Sequence, residues 1–148
     1  MRTTLKRSVL RACPFSFLKQ KQILPMTTQS LYDRLGGYDG IHAFVSDLLP
    51  RVMTDAQLER FWAHRGTDRL AKEKQLLIDY LCANSGGPTH YAGRDMKLSH
   101  AGMKISEDDW SLFLGHAGDT MGALQVPEQE VNEVVEFVLS LKDDIVEV

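Results

Sequence analysis

The sequence has only two cysteines, no long apolar run and no large excess of either charge. Cys13 and Cys82 belong to no spaced motif, so both are expected to remain thiols, which favours a reducing compartment such as the cytoplasm. No apolar segment approaches the roughly 20 residues that span a bilayer, so no membrane attachment is expected. A net charge of −3 and a pI near 5.9 also argue against an electrostatic grip on nucleic acid.

The motifs of the common catalytic chemistries are missing as well. The chain has no glycine-rich phosphate loop after a strand, no cysteine and histidine spacing suited to zinc, and no nucleophile paired with a base. No segment has the pattern of a flavin- or nicotinamide-binding unit, so any reductase that serves this protein must be a separate partner. The five histidines are scattered along the chain: His42, His64, His90, His100 and His116. Each taken alone is more often a surface or hydrogen-bonded core residue than a metal ligand.

Residues 1–26 differ in composition from the rest of the chain. They contain six lysines and arginines and no acidic residue, and their apolar residues form patches instead of one uninterrupted stretch. This composition fits a disordered basic tail or an organelle-targeting segment, and it also fits a start codon set upstream of a true start at Met26. We expect one domain at residues 27–148, with the basic extension outside its fold.

From Ser30 onward the apolar residues follow a helical period almost everywhere. Four faces repeat at intervals of three and four residues, and no alternating strand pattern interrupts them. The faces comprise Ile41, Phe44, Val45, Leu48, Leu49 and Val52; Leu70, Lys74, Leu77, Ile78 and Leu81, in which Lys74 is the one charged member; Trp110, Phe113, Leu114, Ala117 and Met121; and Val131, Val134, Val135, Val138, Leu141 and Ile145. Ser106 with Asp109 three residues later has the pattern of a capping box. The sequence therefore predicts an all-α domain with about four substantial helices.

The segment from Gly86 to Ile105 interrupts this helical pattern. Gly86, Gly87 and Pro88 end a helix, because two glycines and a proline cannot continue one. Apolar anchors flank the loop at Tyr91, Met96, Leu98 and Met103. A loop anchored in this way would hold His100 on a short helical piece that faces the space between long amphipathic helices. A histidine in that position is well placed to ligate a metal centre.

In their order and spacing these motifs resemble the truncated haemoglobins, the short branch of the globin superfamily, and most closely their first group. The matching segments are SLYDRLGG at 30–37, VSDLLPRV at 45–52 followed by Leu58, Phe61 and Trp62, the Gly86 to Pro88 turn with Tyr91, Gly93, Met96, His100 and Ile105, and LQVP at 124–127. The resemblance covers nearly all of the chain after the basic extension.

The resemblance implies a two-over-two helical sandwich around one haem b, an iron protoporphyrin IX, with His100 as the proximal iron ligand. A neutral imidazole is a standard axial ligand, and its second ring nitrogen normally donates to a carbonyl that fixes the ring. Candidate residues for the haem pocket are Leu49, Phe61, Trp62, Leu70, Lys74, Tyr91, Met96 and Phe113. Plain core packing is an equally good interpretation of each aromatic residue taken singly.

The chain departs from the family on the distal side of the haem. Leu49, followed by Pro50, stands where the family commonly has a tyrosine whose hydroxyl bonds the oxygen bound to iron. Bound oxygen carries partial negative charge, so losing this donor is expected to cost about 1–3 kcal/mol, or about one to two decades of affinity.

Two registers are open for the next helix. Without a gap after the aromatic pair, Leu70 and Lys74 face the iron; with one inserted residue, Lys74 and Gln75 take the pocket positions. The ungapped register is preferred because it points Asp79 away from the pocket. In either register Lys74 either donates to a bound ligand or, when neutral, ligates the iron, since burial lowers the pKa of a lysine. The interpretation that it extends to a haem propionate or to solvent is somewhat favoured, and His64 is a weaker distal candidate.

The leading functional hypothesis is reversible binding, and hence storage or transport, of oxygen or another diatomic gas such as nitric oxide or carbon monoxide. A haem-dependent nitric oxide dioxygenase or peroxidase-type enzyme, supplied with electrons by an external reductase, is the alternative. A helical binding or sensing module that has lost haem is a third hypothesis, from a different class. Gas binding is preferred because a proximal ligand and an apolar distal wall suffice for it, and no catalytic acid stands out.

Overall fold

The computed structural model describes residues 28–148, and in that part of the chain all regular secondary structure is helical. In chain order the elements are α1 (Leu31–Arg34), α2 (Gly37–Thr54), the 3-10 helix Glu59–Phe61, α3 (Thr67–Asn84), α4 (Met96–His100), α5 (Glu107–Ala123), α6 (Glu128–Ser140) and α7 (Lys142–Ile145). The prediction of an all-α domain with four substantial helices is confirmed, these being α2, α3, α5 and α6. Within these residues no helix is both long and apolar enough to cross a membrane. The extension predicted at residues 1–26 lies outside the described residues.

Helix α2 lies at the centre of the fold because it packs against both α3 and α5. On one side Val45 contacts a cluster with Ile78 and Cys82 of α3, and all three side chains are at most 1% exposed. On the other side Leu48 packs in a cluster with Ala117 of α5. Residues three and four apart share a helix face, so the predicted stripe on α2 serves both interfaces. Burying each large apolar side chain stabilises the fold by about 1.5–3 kcal/mol.

The Cys82 thiol is free and fully buried, as its lack of a spaced partner predicted. Burial raises the pKa of this thiol, which keeps it protonated and unreactive. Cys13 lies outside the described residues.

The glycine pair after α3 forms a tight turn that other residues would not fit. Gly86 has a φ of +92°, in the left-handed region that favours glycine. A Cβ atom on Gly87 would lie 2.8 Å from the carbonyl oxygen of Cys82 and 2.6 Å from the ring of Tyr32. The backbone N–H of Tyr32 donates to the carbonyl of Ser85 at 2.8 Å. The turn therefore closes the end of α3 against α1 and directs the chain toward α4.

The carboxyl-terminal helix α7 packs against the short helix α4. Beneath them Ile105, Trp110 and Ile145 form a buried cluster. The backbone N–H of Glu147 donates to the carbonyl of Ile105 at 2.9 Å. These contacts fasten the segment between α4 and α5 to the end of the chain.

The predicted capping box at the start of α5 is confirmed. The hydroxyl of Ser106 accepts from the backbone N–H of Asp109 at 3.2 Å, and the Asp109 carboxylate accepts from the backbone N–H of Ser106 at 2.9 Å. The side chain of each residue accepts from the backbone N–H of the other, and this reciprocal pair defines where α5 begins.

Candidate functional site

A cavity of about 430 Å³ lies between the long helices. Helices α2, α3, α5 and α6 provide its walls, and the 3-10 helix and α4 close its ends. Its lining is almost entirely apolar; the side chains with polar atoms are Trp62, Tyr80, His100, Asp109 and Trp110. A slot of this size and character suits an organic ligand that is mostly apolar.

His100 is the only one of the five histidines that lines this cavity. Its Nδ1 lies 2.7 Å from the backbone carbonyl oxygen of Met96, one helical turn earlier. A carbonyl only accepts, so Nδ1 carries a proton, and in the neutral ring this leaves the lone pair on Nε2. This is the neutral tautomer that ligates a metal through Nε2 while the second nitrogen fixes the ring.

The short helix α4 that carries this histidine is held at both ends. At its start the carboxylate of Asp95 accepts from the backbone N–H of Leu98 at 2.7 Å. Beyond its end the Glu147 carboxylate accepts from the backbone N–H of Gly102 at 2.7 Å and from that of Lys104. These two N–H groups lower the pKa of Glu147, so the carboxylate is an anion over the loop. A five-residue helix has little stability of its own, so these contacts are what position it.

Six of the nine predicted pocket residues line the cavity: Leu49, Phe61, Trp62, Met96, His100 and Phe113. Leu70 and Lys74 are half-buried on α3 but do not line it. Lys74 lies one turn before the lining residue Leu77, so the stripe continues past the end of the cavity. His64 is exposed in the corner before α3.

Tyr91 lies one layer outside the wall. Its ring packs edge-on against the ring of the lining residue Tyr80, with centroids 5.1 Å apart. Its hydroxyl donates to the carbonyl of Arg94 at 2.6 Å. Burial raises the pKa of Tyr80 and that of Tyr91, so both phenols stay neutral. Tyr91 therefore supports the wall and the loop before α4, and the wall itself is formed by Tyr80.

The orientation of α3 follows from the contacts on its outer side. The amide nitrogen of Gln75 donates to the Asp79 carboxylate at 2.8 Å and to the Tyr38 hydroxyl at 3.2 Å, and Gln75 is exposed. Leu77 and Leu81 line the cavity on the opposite side. Leu77 and Leu81 thus face the cavity and Asp79 faces away from it, whereas Leu70 and Lys74, which the ungapped register also turned inward, do not line it.

Asp109 was not among the predicted site residues, yet it forms part of the wall. Its side chain is 1% exposed, and it accepts from the side chains of Gln57 at 2.7 Å and Arg60 at 2.5 Å besides the backbone N–H of Ser106. Burial alone would raise the pKa of this carboxyl, but these donors together hold it far below its usual range. The anion therefore ties the segment that carries the 3-10 helix to α5. The only sequence signal for it was the capping box.

Trp110 has a buried indole N–H with no hydrogen-bond partner among the described residues. Its ring stacks on Phe113 with centroids 6.0 Å apart, and it shares a cluster with Met96 and Met103, on either side of His100. Buried donors are rarely left unpaired, so this N–H is a candidate contact for a group bound in the cavity.

The other histidines have structural or solvent-facing positions. His116 on α5 pairs with Asp55 at 2.8 Å, and this contact, more than any other, lowers the pKa of the Asp55 carboxyl. His42, His64 and His90 are exposed.

Comparison of the sequence and of the helix arrangement with known proteins identifies this chain as a globin. The family described as bacterial-like globin matches residues 30–147. The group 1 truncated hemoglobin GlbN of Mycolicibacterium paratuberculosis is 34% identical over 116 residues, covering 78% of this chain and 83% of that protein.

Solved structures give the same result. The truncated hemoglobin of Tetrahymena pyriformis in its Fe(III) form matches with a TM-score of 0.74 and 25% identity, over 81% of this chain and 100% of that one. The 2/2 hemoglobin of Synechococcus, described with covalently attached heme, matches with a TM-score of 0.71 and 25% identity, over 79% of this chain and 98% of that one. The predicted two-over-two helical sandwich is thereby confirmed, and the chain belongs to the group 1 truncated haemoglobins within the bacterial-like globin family.

Proposed function

We propose that this protein binds haem b in the cavity, with His100 as the protein ligand of the iron, and that it binds a diatomic gas reversibly. The observation that carries the proposal is the 2.7 Å contact from His100 Nδ1 to the Met96 carbonyl, which leaves Nε2 of a neutral imidazole available at an apolar cavity. Haem, when bound, supplies an iron with a coordination position open to a gas.

A metal in this cavity would need ligands beyond those of the protein. Among residues 28–148 no group of three or more histidine, cysteine, aspartate or glutamate side chains is placed to hold a metal ion. One imidazole at an apolar cavity therefore fits a metal whose other ligands are supplied by a macrocycle such as a porphyrin. The aromatic side chains of Phe61, Trp62 and Phe113 give the slot broad apolar surfaces for such a group.

The chain's own contribution is to orient the imidazole and to exclude water. Buried side chains of α2 and α5 form part of the wall, among them Leu48, Val52 and Ala117. Apolar side chains around a bound haem would keep water from the iron and so slow the oxidation of ferrous iron. Return of ferric iron to the ferrous state would depend on an external reductase, the partner expected from the sequence.

For Lys74 we propose the solvent-directed role, in which its ammonium group reaches a haem propionate or water. Its half-buried position before Leu77, outside the cavity lining, favours this role because the apolar stem can lie on the helix while the charge stays hydrated. The ferric absorption spectrum tests it. A spectrum that is the same in wild type and Lys74→Ala supports the proposal, whereas a low-spin spectrum that turns high-spin in Lys74→Ala assigns iron ligation to Lys74.

The site itself is tested by reconstituting the full chain with haemin. We expect an intense Soret band in wild type, its loss or marked shift in His100→Ala, and its recovery when imidazole is added to that variant. His42→Ala is the matched control, because His42 is exposed on the outer side of α2. A wild-type chain with no Soret band, or a His100→Ala spectrum like that of wild type, would contradict the proposal.

Gas binding and enzymatic turnover are separated by supplying nitric oxide, oxygen and an electron donor to the reconstituted protein. We expect stoichiometric ligand binding without sustained consumption of nitric oxide. Sustained turnover would favour the dioxygenase alternative.

A further inference from the structure

We propose that the gas site selects carbon monoxide and nitric oxide over dioxygen, because the surface that faces the gas carries no hydrogen-bond donor. This inference rests on the proposed haem site. Dioxygen takes up partial negative charge when it binds ferrous haem, so an N–H or O–H group beside it stabilises the complex. Carbon monoxide and nitric oxide take up less charge, so they lose less when that donor is missing.

His100 lines the cavity from α4, whereas α2 and α3 form other walls of the cavity. Four side chains of these two helices make up what we call the distal wall: Phe44, Leu49, Leu77 and Leu81. None of them has a polar side-chain atom. The cluster behind them holds two groups that can donate: the Cys82 thiol, a weak donor that is fully buried in the core, and the Tyr32 hydroxyl, which lies beside Gly37.

Three donors near the cavity lie outside the distal wall: Gln75, Tyr80 and Trp110. The amide of Gln75 is used by Asp79 and Tyr38 on the outer side of α3. The ring of Tyr80 lines the cavity where it packs against Tyr91, in the loop before α4, and against Phe137 of α6.

The indole of Trp110 lies in the cluster with Met96 and Met103 and therefore belongs to the side of His100. Trp110 is therefore not part of the distal wall.

Two side chains remain that bear a donor near the distal wall. Lys74 is half-buried one turn before Leu77 but outside the cavity lining. Trp62 lines the cavity, and the guanidinium of Arg65 covers its ring at 5.2 Å from the centroid. Neither residue belongs to the distal wall, and both are included as variants in the test.

The experiment adds the missing donor and measures gas release from the ferrous, haem-loaded protein. Leu49→Tyr is expected to slow oxygen release by about 10- to 100-fold, the effect of one hydrogen bond to a partly charged acceptor. Leu49→Phe is the matched control, since it adds the same ring without the hydroxyl, and it should not produce this gain. Release of carbon monoxide should differ far less between the two variants than release of oxygen does.

The selectivity is overturned if Leu49→Tyr and Leu49→Phe release oxygen at the same rate, because a donor would then gain nothing. It is also overturned if Lys74→Ala or Trp62→Phe speeds oxygen release tenfold or more, which would identify an existing donor. Should neither variant at position 49 fold, Leu77→Gln compared with Leu77→Met asks the same question from α3. A chain that shows no Soret band refutes the haem site itself, whereas a normal Soret band with donor-insensitive oxygen release refutes only the selectivity.

Discussion

Replacing Asp109 by alanine is expected to destabilise the protein by about 2–4 kcal/mol. The carboxylate is 1% exposed and accepts from Ser106, Gln57 and Arg60. Losing the capping interaction with the Ser106 backbone N–H costs about 1 kcal/mol, and losing the hydrogen bond from the Gln57 amide to a charged acceptor costs about 1.5–3 kcal/mol more. The Arg60 side chain is 49% exposed, so it recovers water and adds little.

The measurement is urea unfolding of the full chain followed by circular dichroism, with Asp108→Ala as the control. Asp108 is an exposed acid in the same first turn of α5. Its loss therefore removes only a favourable interaction with the helix dipole of about 0.3–1 kcal/mol. Equal losses of stability in the two variants would refute the reasoning, because the buried network would then contribute nothing beyond surface charge.

The pH dependence gives a second check on the same residue. The donors lower the pKa of Asp109 in the folded protein, so its charge stabilises the fold above the unfolded-state pKa of about 3.9. That contribution is lost as pH falls toward the folded-state pKa. The stability difference between wild type and Asp109→Asn should therefore be full at neutral pH and shrink below about pH 4. A difference that grows on acidification would contradict this.

Further predictions concern the turn after α3 and the anchor beyond α4. Gly87→Ala should destabilise the fold by about 1–3 kcal/mol in thermal unfolding, because its Cβ meets a backbone carbonyl at 2.8 Å. Gly118→Ala, in open space on α5, should instead stabilise the fold by about 0.5–1 kcal/mol. A similar loss of stability in the two variants would contradict this reasoning. Glu147→Gln should speed haem loss to an apoglobin acceptor severalfold, since the anion that holds two backbone N–H groups near His100 is gone. Wild-type protein should show the same loosening as pH falls through the lowered pKa of Glu147; an unchanged rate in both cases would show that this anchor does not hold the loop.

The helices were predictable from sequence because the spacing of apolar residues is a local property. The stripe from Ile41 to Val52 and the one through Ile78 fall on buried faces, since a period of 3.6 residues fixes which side chains share a face. The position of His100 followed from the glycine and proline turn, which ends α3 at a defined distance before α4.

The remaining features depend on contacts between distant parts of the chain. Asp109 accepts from residues 49 and 52 positions away, and no local pattern announces such partners. The Lys74 position shares the stripe of Leu77, but periodicity does not show where a cavity ends along a helix. Tyr91 was expected in the wall and lies behind Tyr80, because the fold of the loop decides which of two nearby aromatic residues reaches the cavity.

The most direct test of the haem site is the iron–histidine stretching band in the resonance Raman spectrum of the reconstituted ferrous protein without gas. We expect the band in wild type, a shift when the histidines are labelled with ¹⁵N, and its disappearance in His100→Ala. A wild-type spectrum without the band, or a band that persists in His100→Ala, would contradict ligation of the iron by this histidine.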